Sequence, residues 1–210
     1  MGQYEDRKDY AKGSLDGHLD NPTALLFGWL DAAKAADPQD YNAMTLSTRG
    51  LDGNPEARIV LLREVEEASL SLVFYTNYAS AKGEELLAHP HAAVTFFWRD
   101  IERQLRVRGS VARLSCEESD RYFASRPRAS QIGAWTSNQS ATILNREALE
   151  VRRKAMEAQF PNEVSRPPHW GGYRLRAESI EFWQGRPGRL HDRILFNRQE
   201  EGWASVRLQP

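Results

Sequence analysis

Arg189, His191 and Arg193 stand at alternate positions in the stretch Trp183-Gln-Gly-Arg-Pro-Gly-Arg-Leu-His-Asp-Arg193. Alternate side chains of an extended chain share a face. The spacing therefore predicts these three on one face and Leu190, Asp192 and Ile194 on the other. Two permanent guanidiniums beside an imidazole make a surface suited to an anion. A second cluster of this kind is Tyr122-Phe-Ala-Ser-Arg126-Pro-Arg-Ala-Ser130-Gln-Ile-Gly-Ala-Trp135. Tyr122 and Arg126, four apart, fall on one side of a helix, and Ser130 follows in what reads as a loop. A phenol, a guanidinium and a hydroxyl converging there would cradle a phosphate dianion. Plainer accounts fit the same residues: a solvated Arg-rich edge that resists aggregation, and an Arg near a helix's negative pole.

Further polar donors lie elsewhere. Arg58-Ile-Val-Leu-Leu-Arg63 carries an Arg at each end of a short apolar run. Odd spacing sends the two to opposite faces, about 16 Å apart along a strand, so each would hold a different anion or simply snorkel to water. Tyr75-Thr-Asn-Tyr-Ala-Ser80-Ala-Lys82 reads as a strand end entering a helix. Free N–H groups there favour phosphate, with Thr76, Ser80 and Lys82 adding donors; simple capping by Ser80 is the bland alternative. In Gln104–Leu114, Leu105, Val107 and Val111 share one face, and Gln104, Arg106 and Arg108 the other. Gln104 both donates and accepts, which suits the edge of a heterocycle. Gly109 marks a bulge or a close backbone approach. Ile180 and Phe182 point inward and Trp183 outward with Glu181, where an indole beside cations would wall a flat ligand or meet a second copy.

Composition narrows the function classes. The 28 Lys and Arg nearly balance 29 Asp and Glu over 210 residues, leaving a formal net charge of -1. That balance argues against bulk nucleic-acid binding and permits local basic pockets. One cysteine, Cys116, excludes an intrachain disulfide and a thiolate cluster, and five histidines lack ligand spacing, so no metal site is expected. No apolar run approaches the ~20 residues that span a bilayer. The first 20 residues lack a signal-peptide core, which makes the cytoplasm the expected compartment.

The elements that must position these groups are mostly strands. A helix opens at Asn21-Pro22-Thr23 and presents Leu25, Leu26, Trp29 and Leu30 on one face. Strands are predicted at 43–48, 58–63, 70–77, 92–98, 104–114, 173–183, 192–197 and 203–208. Helices are predicted near 80–88, 117–125 and 145–160, the second ending ahead of Pro127. Strands following strands predict an antiparallel sheet closed into a barrel. A flexible segment is expected over 1–20 and a single domain over 21–210. No Gly-x-Gly-x-x-Gly and no Gly-Lys-Ser/Thr occurs, so the common dinucleotide and P-loop routes are absent.

These separate signals converge. From about Tyr10 to Pro210 the chain resembles the pyridoxamine 5'-phosphate oxidase family, FMN-dependent enzymes of vitamin B6 metabolism. The resemblance rests on Arg58-Ile-Val-Leu-Leu, Tyr75-Thr-Asn, Glu102-Arg-Gln104, Ser125-Arg-Pro-Arg, Ser130-Gln-Ile-Gly-Ala-Trp135, Gln139-Ser140, Ile180-Glu-Phe-Trp-Gln-Gly185 and Arg189-Leu-His-Asp-Arg193. It implies a mainly β, antiparallel Greek-key fold with peripheral helices, an FMN-binding split β-barrel. It also implies a homodimer with FMN in each of two interface clefts. Arg58, Ile59, Val60, Leu61, Leu62, Arg63, Tyr75, Thr76, Lys82, Gln104, Gln139, Ser140, Trp183 and Arg193 match positions that contact FMN. Tyr122, Arg126, Ser130 and Arg63 match positions that hold substrate phosphate, Arg189 and His191 lie over the substrate ring as catalytic residues, and Arg7 and Tyr10 belong to a covering segment. The implied reaction turns pyridoxamine or pyridoxine 5'-phosphate into pyridoxal 5'-phosphate, with O2 as acceptor and H2O2 as product. Two departures stand out: Arg63 where the family usually has Lys, and Ala81 where it tends to have Arg. The resemblance leaves two alternatives open, a related split-barrel oxidase of another ring system and a non-catalytic FMN- or pyridoxal phosphate-binding protein.

Overall fold

Strand β1 (Ala43–Arg49) is flanked by β2 (Pro55–Leu61) and β5 (His91–Trp98) in the computed structural model, which describes residues 10–15 and 21–210. The remaining strands are β3 (Glu64–Glu66), β4 (Ser71–Asn77), β6 (Arg103–Arg113), β7 (Trp170–Gln184), β8 (Asp192–Arg198) and β9 (Trp203–Leu208). The helices are α1 (Pro22–Ala36), α2 (Ala81–Ala88), α3 (Cys116–Ser125), α4 (Arg128–Thr136) and α5 (Arg146–Gln159). Caps explain the helix starts. Asn21 accepts from Thr23 N–H with Pro22 opening α1, Ser80 caps α2, Ser115 and Glu118 form a reciprocal capping box on α3, and Asn145 caps α5.

Every strand pairing is antiparallel, in the order β2-β1-β5-β6-β7-β4-β3. Strand β7 organises the molecule. Its first half pairs with β4 and its second half with β8, while β6 runs along its other edge. The predicted bulge falls between Arg108 and Gly109, where a Cβ on Gly109 would lie 1.8 Å from the Arg176 carbonyl oxygen.

The expected closed barrel is not formed. The two end strands, β2 and β3, are consecutive in the chain, yet no ladder joins them. At the step between them Leu62 N–H donates to Asn42 O (2.8 Å) and Arg63 N–H to Val73 O (2.9 Å), so adjacent residues bond to different neighbours. Three further sequence expectations need correction. The strand predicted at 58–63 is β2, Pro55–Leu61, and among the described residues it is an end strand of the sheet, which leaves Ile59 63% exposed. Ser130 lies on helix α4 rather than in a loop. Pro187–Arg189 is a 3-10 turn with positive φ at Gly188 and Arg189, so Arg189, His191 and Arg193 do not alternate on one strand.

The main core joins α1 (Leu26, Trp29, Leu30) to the inner face of the sheet (Met44, Leu46, Phe74, Phe96, Leu105, Leu175, Phe182, Phe196). A second, smaller core of Phe123, Ile132, Val164 and Trp170 sits beneath α3, α4 and α5. Residues 10–15 fall within the segment expected to be loose. Here Ala11 and Lys12 N–H donate to Glu102 (2.8 and 3.0 Å), Leu15 N–H donates to Asp192 (3.1 Å), and Leu15 is buried. Arg7 lies outside the described residues. Among the described residues no helix is long and apolar enough to cross a membrane, and no cluster of three metal-binding side chains occurs.

Candidate active site

The small core roofs a cavity of about 380 Å³ whose walls include Arg63, Tyr75, Thr76, Tyr122, Arg126, Ser130, Gln139 and Trp170. Seven of these eight were singled out from sequence; Trp170 was not. They come from the β2–β3 step, the end of β4, the C-terminal turn of α3, α4, the loop after it and the start of β7. Tyr75 and Tyr122 stack with centroids 3.8 Å apart and planes 13° from parallel, and Tyr75 also lies nearly parallel to Trp170 at 5.5 Å. Glycine makes room for this. Gly172 opposes Tyr75 across β4 and β7, and a Cβ there would come 2.8 Å from the Tyr75 ring. Burial, then the charge of Glu64, pushes the Tyr75 phenol up to about 12, so it stays a neutral donor.

Arg126 is the informative member. Its Nη1 is buried and has no hydrogen-bond partner, the one such side-chain atom among the described residues. Burial holds the guanidinium below its ordinary pKa; Tyr122 opposes that shift and the charge of Arg63 adds to it. Among the described residues, no carboxylate lines the cavity. A buried donor without a partner costs about 1–3 kcal/mol, more when charged, and an incoming anion would recover that cost. Tyr122, Ser130 and Arg63 line the same space.

Beside this cavity lies a second cationic group. Lys82, only 8% exposed, donates to Ser80 Oγ (3.2 Å) and Gln139 Oε1 (3.1 Å), and Thr76 Oγ1 donates to the same Gln139 oxygen (3.2 Å). Arg58 donates to Thr48 and to Glu85 (3.0 Å), while Thr48 donates to Glu85. Burial lowers the Lys82 pKa, the neighbouring Arg58 adds to that, and Glu85 opposes it. Arg58 therefore pairs with a buried carboxylate whose charge also reaches Lys82. Ser140, at φ +75, accepts from Ala81 N–H (3.2 Å) in a hollow that shares Gln139 with the cavity. Glu85 and Thr48 were not anticipated. The signal for Glu85 was its place three residues after Lys82, on the same side of a helix. Of the remaining run, Leu62 is buried, Val60 half-buried, and Ile59 and Leu61 are exposed; none of the four lines the cavity.

The other predicted residues gather at the far end of β7. Gln104 pairs with Trp183 across β6 and β7. Trp183 and His191 approach to 4.6 Å, and Tyr10 meets both rings edge-on at 5.6 and 5.7 Å. The Arg186 N–H donates to His191 Nδ1 (3.1 Å), which places the proton of the neutral ring on Nε2. Burial, then the Arg189 charge, lowers the His191 pKa, favouring that neutral ring. Arg193 binds Glu181 at 2.8 Å, and Arg106 binds its other oxygen at 3.0 Å. These two cations explain why Glu181, expected to point outward, is buried. Arg189 is exposed. Trp170 and Trp183 stand thirteen positions apart on β7, roughly 40 Å along an extended strand, so the group around Arg126 and Trp170 and the group around Trp183 and His191 occupy opposite ends of that strand.

Comparison with known proteins supplies the context. The family described as pyridoxamine 5'-phosphate oxidase matches residues 30–160, and its pyridoxine 5'-phosphate oxidase C-terminal dimerisation region matches residues 170–210. A pyridoxine/pyridoxamine 5'-phosphate oxidase of Burkholderia cenocepacia is 51% identical over 209 residues, 97% of each chain. One from Paraburkholderia phytofirmans is 50% identical over 208 residues, again 97% of each. Among solved structures, PhzG from Burkholderia lata 383 in complex with tetrahydrophenazine-1-carboxylic acid superposes with a TM-score of 0.85 at 29% identity, covering 94% of this chain and 100% of that one. A pyridoxamine 5'-phosphate oxidase-related, FMN binding protein from Nostoc punctiforme shares the fold, with a TM-score of 0.72 at 18% identity over 87% of this chain and 96% of that one.

Proposed function

This chain belongs to the pyridoxamine 5'-phosphate oxidase family, and from that membership we propose that it is an FMN-dependent oxidase of pyridoxamine or pyridoxine 5'-phosphate. The amine would react with O2 and water to give pyridoxal 5'-phosphate, ammonia and H2O2; the alcohol would react with O2 to give the same aldehyde and H2O2. One observation carries the substrate class: the buried Nη1 of Arg126, unpartnered among the described residues, in a cavity that none of their carboxylates lines. That arrangement asks for an anion, and Tyr122, Ser130 and Arg63 supply further donors to a phosphate.

The donor set also fits FMN. Among the described residues Glu85 is the buried carboxylate that pairs with Arg58 and whose charge also reaches Lys82, which leaves positive charge for the cofactor's phosphate, and Thr76, Gln139 and Ser140 add neutral polar atoms. Gln104, Trp183 and Arg193 would hold it from the other group. When bound, FMN supplies the two-electron acceptor that protein side chains lack. The protein's share is orientation. The substrate phosphate is remote from the reacting carbon, so its binding can be spent on alignment. Arg189 and His191 would orient the substrate ring, with the neutral Nε2–H of His191 available as a donor.

A homodimer reconciles the geometry. A two-fold partner presents the same surface in reverse, so the Arg126 end of one copy can meet the Arg189 end of the other. The match of residues 170–210 to a dimerisation region supports this reading.

A second reading is an oxidase of another ring system, favoured by the likeness to PhzG. A non-catalytic FMN or pyridoxal phosphate carrier is a third. The visible spectrum of the purified protein, together with its peroxide release, separates all three. A yellow protein bleached by anaerobic pyridoxine 5'-phosphate, with peroxide released in air, supports the proposal. Peroxide from non-phosphorylated rings alone would favour the second reading, and no peroxide from any substrate the third.

A further inference from the structure

We propose that Trp170 is a positioning residue: its indole face holds the Arg126 guanidinium in the cavity wall where a carboxylate would otherwise do so, leaving the whole charge for phosphate. The inference rests on reading Arg126 as the substrate-phosphate residue. The Arg126 Cζ lies 4.4 Å from the Trp170 ring centroid and 5.6 Å from that of Phe123. Trp170 is the better cation–π partner by type and by distance. Among the described residues Arg126 has no ion-pair partner, although α3 carries acids about two turns from it. Those acids are engaged elsewhere: Glu118 binds Arg174 (2.8 Å), and Asp120 binds Arg166. Arg166 also donates to the Trp170 carbonyl (2.7 Å), so one side chain both occupies Asp120 and anchors the indole's backbone. An aromatic face orients a guanidinium without neutralising it, whereas a carboxylate would compete with the phosphate for its donors. Trp170 is itself buried and is held flat by the Tyr75 stack.

The test is a double-mutant cycle on the purified, FMN-supplemented protein. The dissociation constants of inorganic phosphate and pyridoxal 5'-phosphate are measured calorimetrically, with FMN affinity followed by fluorescence. Trp170→Leu is expected to weaken both phosphate ligands about tenfold. Trp170→Phe should restore most of the loss, FMN affinity should not change, and Trp170→Leu should have no further effect once Arg126 is Ala. Unchanged phosphate affinity in Trp170→Leu overturns the proposal, as does an equal loss in the Arg126→Ala background. If Trp170→Leu does not fold, the smaller change Trp170→Phe, expected to weaken phosphate two- to threefold (roughly, from the weaker ring face), decides alone. Absence of phosphate binding by the unmodified protein also overturns it. The functional reading stands apart: a protein that binds phosphate through Arg126 and Trp170 yet does not oxidise pyridoxine 5'-phosphate keeps the positioning role and loses the substrate assignment.

Discussion

Tyr75 and Tyr122 lie face to face with ring centroids 3.8 Å apart, one at the end of strand β4 and the other on helix α3. The contact ties the phosphate-cradle helix to the strand that carries Thr76. It thereby fixes the distance between the two cationic groups, and orientation between two anchored phosphates is what the proposed chemistry needs from the protein.

Gly172 should be intolerant of even one methyl. A Cβ there would sit 2.4 Å from Leu114 and 2.8 Å from the Tyr75 ring. Gly172→Ala is expected to cost about 1–3 kcal/mol by overpacking, lowering Tm by several degrees, and to raise the KM for phosphorylated substrate. A thermal melt matching the parent protein would show that the stack yields without cost.

Arg126→Ala removes the buried unpaired donor and its charge. The KM for pyridoxine 5'-phosphate should rise about ten- to hundredfold, the worth of a hydrogen bond to a charged group. Unphosphorylated pyridoxine should be used no worse than before. Parallel loss on both substrates would remove Arg126 from the phosphate site.

Arg189 adopts φ +63, a conformation that suits glycine. Arg189→Gly should therefore keep or slightly raise Tm while turnover collapses. Arg189→Leu should lower turnover far more than it lowers FMN content. Equal turnover in Arg189→Leu and the unmodified enzyme would refute the assigned role. The backbone preference would then have no functional reason behind it.

The lowered Lys82 pKa gives FMN binding a pH dependence of definite sign. A phosphate dianion prefers the charged ammonium, so affinity is complete below the Lys82 pKa and declines as pH rises through it. The decline should begin at lower pH than an ordinary lysine would give, because burial and Arg58 both favour the neutral amine. Folding of the cofactor-free protein moves oppositely. The unfolded chain holds this proton more tightly, so stability gains as pH climbs from the lowered value to the ordinary one. Fluorescence titration across pH, with Lys82→Met as the flat control, checks the sign.

Ala81 stands at the first turn of α2, exposed, with its N–H on Ser140. Ala81→Arg should add a cation beside Lys82 and tighten FMN several-fold, by roughly 1 kcal/mol. An unchanged FMN dissociation constant would mean that the side chain at this position does not reach the phosphate.

Local pattern carried much of this protein. Alternation located the faces of β6 and of the second half of β7, proline and glycine bounded turns, and Asn21, Ser80 and Asn145 announced helix starts, because these depend on neighbours within a few residues. Helix α4 escaped, since Arg-Ala-Ser-Gln-Ile-Gly-Ala-Trp-Thr has no sustained apolar period and is held by Ile132 entering the small core. Trp170, Glu85 and Glu181 escaped for another reason: each acts on a residue distant in the chain or on another element. The pairing of Tyr75 with Tyr122, the orphaned nitrogen of Arg126 and the placing of the Trp170 and Trp183 groups at opposite ends of β7 were settled only by folding. Sequence spacing dictates which side chains share a face; which faces then meet depends on long-range packing, and that contains no local signal.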